Sequence, residues 1–406
     1  MLKAAYFCEP QFGGTFSFFR RMRPLLAACG IDFRCISPFS GERLAGTRFE
    51  GAEGVDDVRF PENDLPAASE ILIRHLVGNG YGAVVVLPGS DVLAVNLVRY
   101  LPRQIRTAAR VPMITRGAYA PARAIEPSLD LVFAVSHRVA DDLVRRYRVP
   151  GDKVRTIYNG VDVRDAPSRR TCGQNGQPFR LLYSGRLSDL DKGVMLLPDV
   201  LRRVRAGGID ARLTLAGNGP DRDRLEAEFS RCGVRDAVDF RGNVALETVN
   251  GLLAETDCFL LPSRFEGCPN ALLEAMAAGC ACVAPRIRGS VDRIVEHGKS
   301  GRLAAVADAG DFARQVLALA RDPVRCRETG ELARRRIAGN FSAARMAAEY
   351  ASALRQLPTA PDRRGPALPL SRYDLPRALR PTWRTHLPPG LKNFLRKWME
   401  SLGIPS

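Results

Sequence analysis

The stretch that most constrains this chain is 258–284. An apolar, strand-like run at 258–261 leads into SRFEGCPNALLEAMAAGCACVA, and that string contains a helix with both its ends written in. Pro269 and Asn270 open the helix, Gly279 closes it, and 280–284 returns to a strand-like pattern. A strand, a short Gly-containing loop, a helix and a second strand place the first turn of the helix at the carboxyl edge of a parallel sheet. The amides of that turn, from about Asn270 through Ala271 and Leu272 to Leu273, have no partners inside the helix. With the helix dipole they form an anion site. Two carboxylates bracket it, Glu266 in the loop and Glu274 on the helix. Taken singly each has an ordinary explanation: Glu274 is a favourable charge near a helix N-terminus, and Glu266 is a loop residue.

At 406 residues the chain has room for two domains with cores of their own. Its 46% hydrophobic and 26% charged residues fit a folded globular protein and exclude a disordered one. The formal net charge is +16, mostly from arginines spread over the whole length, which is a general field rather than a nucleic-acid-binding tail. It suits nucleoside diphosphates, a phosphate-bearing acceptor or an anionic lipid surface, and no nucleic-acid partner is expected. Ten cysteines without metal-ligand spacing read as buried thiols of a reducing compartment. The opening MLKAAYFCEP is a strand pattern too short for a signal peptide, and no apolar run is long enough to span a bilayer. The expectation is a cytoplasmic protein whose membrane contact, if any, is peripheral at the cytoplasmic face.

In the first half, strands are predicted at 2–7, 33–36, 83–87, 111–115 and 131–134, alternating with helices. That alternation predicts a doubly wound parallel sheet, with 40–61 polar and irregular. The first strand delivers Gln11-Phe12-Gly13-Gly14-Thr15 to a helix, and paired glycines there let the backbone approach a phosphate or sugar closely. One carboxyl edge should gather Pro88-Gly89-Ser90-Asp91, Arg116-Gly117-Ala118-Tyr119 and Ser136-His137-Arg138. Asp91 and Arg116 are the candidates there for acceptor contacts, Arg116 by hydrogen bonds to a sugar, a phosphate or a charged group. Ser136 reads first as a helix N-cap. His75, His137, His297 and His386 stand alone and read as surface or structural residues.

A first domain over 1–164 ends in a strand and the turn Asn159-Gly160, followed by a polar, Gly- and Pro-containing linker at 165–178. A second domain is placed over 179–340, with strands at 180–184, 212–216 and 238–241. Its first strand runs into Gly185-Arg186-Leu187 and Asp191-Lys192-Gly193, either a pair of fixed cations or a solvated basic loop. Gly217-Asn218-Gly219-Pro220 is a fragment of a dinucleotide fingerprint and specifies no NAD site. Gly242-Asn243-Val244 follows the third strand. The acidic pairs of Asp189-Leu190-Asp191 and Asp221-Arg222-Asp223 mimic a metal motif. The first lies inside the basic loop and the second reads as a helix start, so no metal is assigned. A helix is expected at 341–357, then a Pro- and Arg-rich tail over 358–406. Within the tail, 391–402 repeats apolar residues at helical spacing, either a membrane-surface helix or one docked on the protein itself.

Glu266-Gly267, with Glu274 eight positions on inside LLEAMAAG, closely resembles the signature of the retaining glycosyltransferases of family four. The Gly-Arg-Leu and Lys-Gly elements and the quartet Asn159-Gly160-Val161-Asp162 resemble the same family. Agreement covers most of 150–305 and is thin before it. The resemblance implies the GT-B fold: an α/β protein of two Rossmann-like domains with a cleft between them, and a C-terminal helix crossing back to the first. It gives Glu274 the ribose hydroxyls of a nucleotide-diphosphate sugar and Glu266 the donor sugar. The diphosphate falls to Arg186, Lys192 and the amides near Asn270, Ala271 and Leu272. Gly13, Gly14, Gly185 and Gly267 lie along the donor, and the backbone at Asn243 and Val244 meets the base. Where this chain has Arg116-Gly117, many members have His-Gly.

The resemblance further implies a same-face displacement in which the donor phosphate helps take the acceptor proton, without metal or cofactor. The donor is a UDP- or GDP-sugar and the acceptor a glycan, a lipid-linked glycan or another hydroxyl, in bacterial surface polysaccharide or glycolipid synthesis. Two rivals remain: a nucleotide-sugar epimerase of the same fold, and a non-catalytic anion-binding protein at a membrane. A two-carboxylate hydrolase fits poorly, because Glu266 and Glu274 share one phosphate-binding turn instead of flanking a bond.

Overall fold

The computed structural model describes residues 1–9, 14–37, 51–61, 63–163 and 176–380. Gly13, most of the linker and the segment 391–402 lie outside that range. The chain forms two compact units, Met1–Tyr158 with Ala343–Ser406, and Asn159–Ser342.

The first unit is a seven-stranded parallel sheet of β1 (Leu2–Phe7), β2 (Ile31–Ile36), β3 (Val55–Asp56), β4 (Ala83–Val86), β5 (Arg106–Val111), β6 (Leu131–Ala134) and β7 (Val154–Thr156). The order is β3-β2-β1-β4-β5-β6-β7, with α1 (Gly14–Ala28), α2 (Leu65–Gly78), α3 (Val92–Leu97), α4 (Arg116–Ile125) and α5 (His137–Asp141) as connections. Such strands are covered on both faces, so β4 reads as an unbroken apolar run, all of it buried. The strand expected at 111–115 is instead β5, five residues earlier. Pro112 supplies no amide to a ladder, and Thr115 occupies the N-cap position of α4. The stretch expected to be irregular, 40–61, contributes the two-residue edge strand β3. Ser136 caps α5 as expected, its hydroxyl accepting from the Val139 amide at 3.3 Å.

The second unit is a six-stranded parallel sheet of β8 (Phe179–Ser184), β9 (Ala211–Ala216), β10 (Val238–Gly242), β11 (Cys258–Leu260), β12 (Ala281–Pro285) and β13 (Arg302–Ala304). They run in the order β10-β9-β8-β11-β12-β13. Its helices are α6 (Asp189–Lys192), α7 (Leu197–Ala206), α8 (Arg222–Arg231), α9 (Leu246–Glu255), α10 (Asn270–Ala277), α11 (Val291–Ile294), α12 (Ala309–Ala320) and α13 (Pro323–Asn340). Gly279 closes α10 with φ 74°, which favours glycine. Cys258, Cys280 and Cys282 are buried free thiols, as their apolar surroundings in the sequence implied.

The last α-helix among the described residues, α14 (Ala343–Gln356), starts two residues later than expected. The Phe341 carbonyl is taken by the Val161 amide at 3.0 Å, and Ser342 bridges Val161. α14 belongs to the first unit, where Met346, Ala347 and Tyr350 join the core formed by α1 and β1. The buried Arg110 of β5 donates from Nε to the Tyr350 hydroxyl at 3.2 Å, and its guanidinium lies 4.0 Å from the centre of the Phe18 ring.

Beyond α14 the described chain is irregular apart from short 3-10 turns, as its proline content implied. It is nevertheless tied down across the amino edge of the first sheet. Arg364 donates to the carbonyls of Ile105 at 3.0 Å and Arg103 at 2.9 Å, and pairs with Asp130 at 3.3 Å. Asp130 also accepts from Arg106 at 2.8 Å and from the Thr107 amide at 2.9 Å. No helix among the described residues is long and apolar enough to cross a membrane.

Both members of the Arg364–Asp130 pair are almost fully buried, so breaking it is expensive. Arg364→Ala is expected to lower unfolding free energy by about 3 kcal/mol. Urea unfolding measures this, and a midpoint within error of wild type would show that the tail contributes nothing to the first unit.

Candidate active site

The carboxyl edge of the second sheet is where the residues with site chemistry gather. β11 ends at Leu260, and the loop after it turns into α10 through Pro269, an N-cap with no side chain to offer the helix. The first helical bond runs from the Leu273 amide to the Pro269 carbonyl at 3.2 Å. The orphan amides are therefore those of Asn270, Ala271 and Leu272, while Leu273, expected among them, is used by the helix. The Asn159 side chain fastens this turn from outside, donating to Asn270 Oδ1 at 2.8 Å and to the Cys268 carbonyl at 3.4 Å.

Glu266 is buried, and its Oε1 accepts two bonds: Lys192 Nζ at 2.9 Å and Ser263 Oγ at 2.7 Å. Ser263 is wholly buried and was not singled out from the sequence; the S-x-x-E spacing was the available signal. Gly267 is fixed beside them, its carbonyl accepting from Ser290 Oγ at 2.8 Å. Glu274 lies one turn along α10, half-buried.

Lys192 reaches Glu266 because two loops are locked together beneath it. Gly193 closes α6 with φ 61°, and a Cβ there would sit 2.3 Å from the Pro262 carbonyl oxygen. Asp191 accepts from the Arg264 amide on its carbonyl at 2.9 Å and from Arg186 on its carboxylate at 2.8 Å. Burial works against the ionised Asp191, but hydrogen bonds from Ser188 and Arg186 outweigh it and hold the carboxyl below its usual range. Tyr183 donates to the Arg186 carbonyl at 2.7 Å. Burial, then the charges of Glu266 and Asp191, push its phenol pKa up.

The glycines of Gly217-Asn218-Gly219 serve this packing. A Cβ at Gly217, where φ is 140°, would lie 2.0 Å from the Gly185 carbonyl oxygen, and one at Gly219 2.3 Å from that of Leu187. The Leu187 amide in turn bonds the Asn218 carbonyl at 3.0 Å. The acidic pairs are likewise absorbed locally: Asp189 accepts from the Met195 amide at 3.2 Å, and Asp221 from the Asp189 amide at 2.7 Å.

The structure thus brings Glu266, Lys192 and Ser263 into direct contact and links Arg186 to them through Asp191. Gly185 precedes Arg186 with φ 155°. Asn243 is exposed and Val244 half-buried just past β10. In the first unit, Gly14 opens α1. Asp91 is the N-cap of α3, accepting from the Ala94 amide at 2.9 Å, and Arg116 is the exposed first residue of α4. Their loops touch at Gly89, where φ is 88° and a Cβ would be 2.5 Å from the Gly117 oxygen.

Two parallel sheets of this kind, each wound with helices, define a pair of Rossmann-like domains, and comparison places them in a family. Residues 12–165 match the model described as Glycosyltransferase Family 4, and 178–322 the model described as Glycosyl transferases group 1. The chain belongs to this family of GT-B glycosyltransferases.

Among its relatives, N-acetyl-alpha-D-glucosaminyl L-malate synthase of Bacillus anthracis is 28% identical over 285 residues, covering 69% of each chain. The putative colanic acid biosynthesis glycosyltransferase WcaL of Salmonella typhimurium is 29% identical over 198 residues, 47% of this chain and 48% of that one. The match therefore spans less than half of WcaL's own length. Anabaena HepE in complex with UDP superimposes with a TM-score of 0.71 at 18% identity, over 88% of this chain and 100% of that one. Sucrose-phosphate synthase from Thermosynechococcus elongatus gives 0.71 at 19% identity, over 88% and 99%. At such identities the two structures show the fold.

The geometry makes Glu266 dependent on its cation. Lys192→Met leaves a buried carboxylate held by Ser263 alone and is expected to cost about 2 kcal/mol, discounted for the partial exposure of Lys192. Adding Glu266→Gln removes the stranded charge and should restore about half of that. Denaturant melts of the two single variants and the double close the cycle, and additive losses would show that the pair is not coupled.

Proposed function

We propose that this protein is a retaining glycosyltransferase that moves a sugar from a UDP- or GDP-sugar to a hydroxyl of a glycan or lipid-linked acceptor. The observation that carries the reading is the Glu266 carboxylate, buried and held on one oxygen by Lys192 and Ser263, beside the open first turn of α10. Both bonds fall on Oε1, and we assign Oε2 to the donor sugar. The amides of Asn270, Ala271 and Leu272 take the diphosphate, which the helix dipole favours. Glu274 accepts the two ribose hydroxyls, as a carboxylate with two oxygens does readily.

Bond cleavage at the sugar shifts negative charge onto the diphosphate, and Arg186 and Lys192 stabilise that charge as it grows. They supply the electrostatics a divalent cation would otherwise provide, so turnover is assigned as metal-independent. The departing phosphate, on the same face as the incoming hydroxyl, takes the acceptor proton, and the anomeric configuration is retained. Gly13 and Gly14, Gly185 and Gly267 are assigned to the donor's path, Asn243 and Val244 to the base, and Asp91 and Arg116 to the acceptor. Support for the nucleotide comes from HepE, whose structure holds UDP, and support for the pathway class from WcaL, named for colanic acid biosynthesis. The setting that follows is polysaccharide or glycolipid assembly at the cytoplasmic face of a membrane.

A thermal-shift panel of UDP, GDP, ADP and their sugars on wild type and Glu274→Ala tests the donor site. One nucleotide at a hundred times its dissociation constant should add about 2.7 kcal/mol to the stability of wild type and little to that of the variant. No response from either protein at millimolar nucleotide would overturn the assignment. With the donor known, the anomeric proton coupling of the product reports retention, and turnover in excess chelator reports metal independence.

A further inference from the structure

Among the described residues one Phe or Tyr side chain is exposed: Phe265, at 47% of its full accessibility. Every other described Phe and Tyr is buried or half-buried. Phe265 immediately precedes Glu266, which is 7% accessible, so adjacent side chains on one loop have opposite fates. Looseness of the loop does not explain the exposure. The Phe265 amide approaches the Asp191 carbonyl at 3.5 Å and the Arg264 amide bonds it at 2.9 Å. On the amino side the Pro262 oxygen sits where any Cβ on Gly193 would fall. On the carboxyl side Glu266 is bonded to Ser263 and Lys192, and Gly267 to Ser290. A backbone pinned at every step holds the base of this exposed ring in place.

We infer that Phe265 is a stacking platform for a pyranose ring. The apolar face of a pyranose, made of axial C–H groups, packs on an aromatic face, and a rigid ring loses little conformational freedom in binding it. The polar edge of the same sugar is assigned to groups of the loop that carries Phe265: the Glu266 carboxylate, the Lys192 ammonium bonded to it, and the Arg264 guanidinium, which is itself held by the Asp189 carbonyl at 3.3 Å. An aromatic face with hydrogen-bonding groups at its margin recognises a carbohydrate by both of its surfaces. Phe265 is then a specificity-determining residue that selects rings with an uninterrupted axial C–H face. This rests on the donor-site reading above, and the sugar it holds is either the donor's or the acceptor's.

The test uses wild type, Phe265→Ala and Phe265→Trp. Nucleotide binding is measured first by thermal shift, and UDP or GDP should stabilise all three alike, because the diphosphate site does not include Phe265. Saturation-transfer difference NMR follows in two arms. One uses UDP-glucose, UDP-galactose, UDP-N-acetylglucosamine and GDP-mannose; the other uses methyl pyranosides of the same sugars with the nucleoside diphosphate present. The sugar that binds should show saturation of its axial ring protons in wild type, about three- to tenfold weaker binding in Phe265→Ala, and recovery in Phe265→Trp. A loss confined to the first arm assigns the platform to the donor ring, and one confined to the second to the acceptor ring. Equal signals from wild type and Phe265→Ala in both arms, or no sugar signal from a wild type that binds nucleotide, overturns the inference. A wild type that binds no nucleotide overturns the donor-site reading and this one with it.

Discussion

A carboxylate buried at the end of a parallel strand is the constraint on which the rest of this site depends. Glu266 is nearly inaccessible, and Lys192 and Ser263 both donate to its Oε1, which satisfies a buried polar group. Lys192 arrives from a different strand end, so the loops after β8 and β11 must be locked in register. That requirement explains the glycines. Gly193 lets α6 turn under the Pro262 carbonyl, and Gly217 and Gly219 let a third loop, after β9, press its backbone against Gly185 and Leu187. Side-chain chemistry at one carboxylate is thereby converted into backbone demands at three loops.

The first unit answers a different demand. Its sheet carries two buried arginines in one strand, Arg106 and Arg110 of β5, and each is satisfied by chain from far beyond it. Arg106 shares Asp130 with Arg364 of the tail, and Arg110 meets Tyr350 of α14 and the face of Phe18 in α1. The last described segments thus complete the polar interior of a sheet whose strands lie between Leu2 and Thr156. The described part of the tail crosses at the amino edge, by the starts of β5 and β6, while the loops of Gly89 and Gly117 lie at the carboxyl edge of that sheet.

These two demands also decide how much could be read from the sequence. Strands β1, β4, β6, β8, β9, β10 and β11 were legible within a residue or so, because burial on both faces writes an apolar run. β5 was not, since Arg106, Thr107 and Arg110 interrupt that run, and the more apolar VPMIT beside it drew the prediction past Pro112. The helix start at Asn270 and the Glu266–Lys192 juxtaposition followed from motif spacing and family resemblance. Ser263 did not, because a buried serine is justified only by a partner that the fold brings to it. The Gly217 and Gly219 pair resembled a nucleotide fingerprint in sequence, whereas the contact that requires it is between backbones, which composition does not record. The edge strand β3 is two residues long and carries no periodicity at all.

Both cations of the proposed donor site are paired with carboxylates: Lys192 with Glu266, Arg186 with Asp191. The two pairs are not equivalent. Lys192 is tied to a buried carboxylate and is fixed in place, which preorganises one cation at no cost during reaction. Arg186 is 58% exposed and shares a half-buried partner, so its fork is free to turn toward a phosphate while Asp191 keeps its hydrogen bond from Ser188. With both cations paired, the proposed attraction of a diphosphate before reaction has two further sources. At short range it is the three orphan amides of α10, and at long range the net charge of +16 spread over the chain.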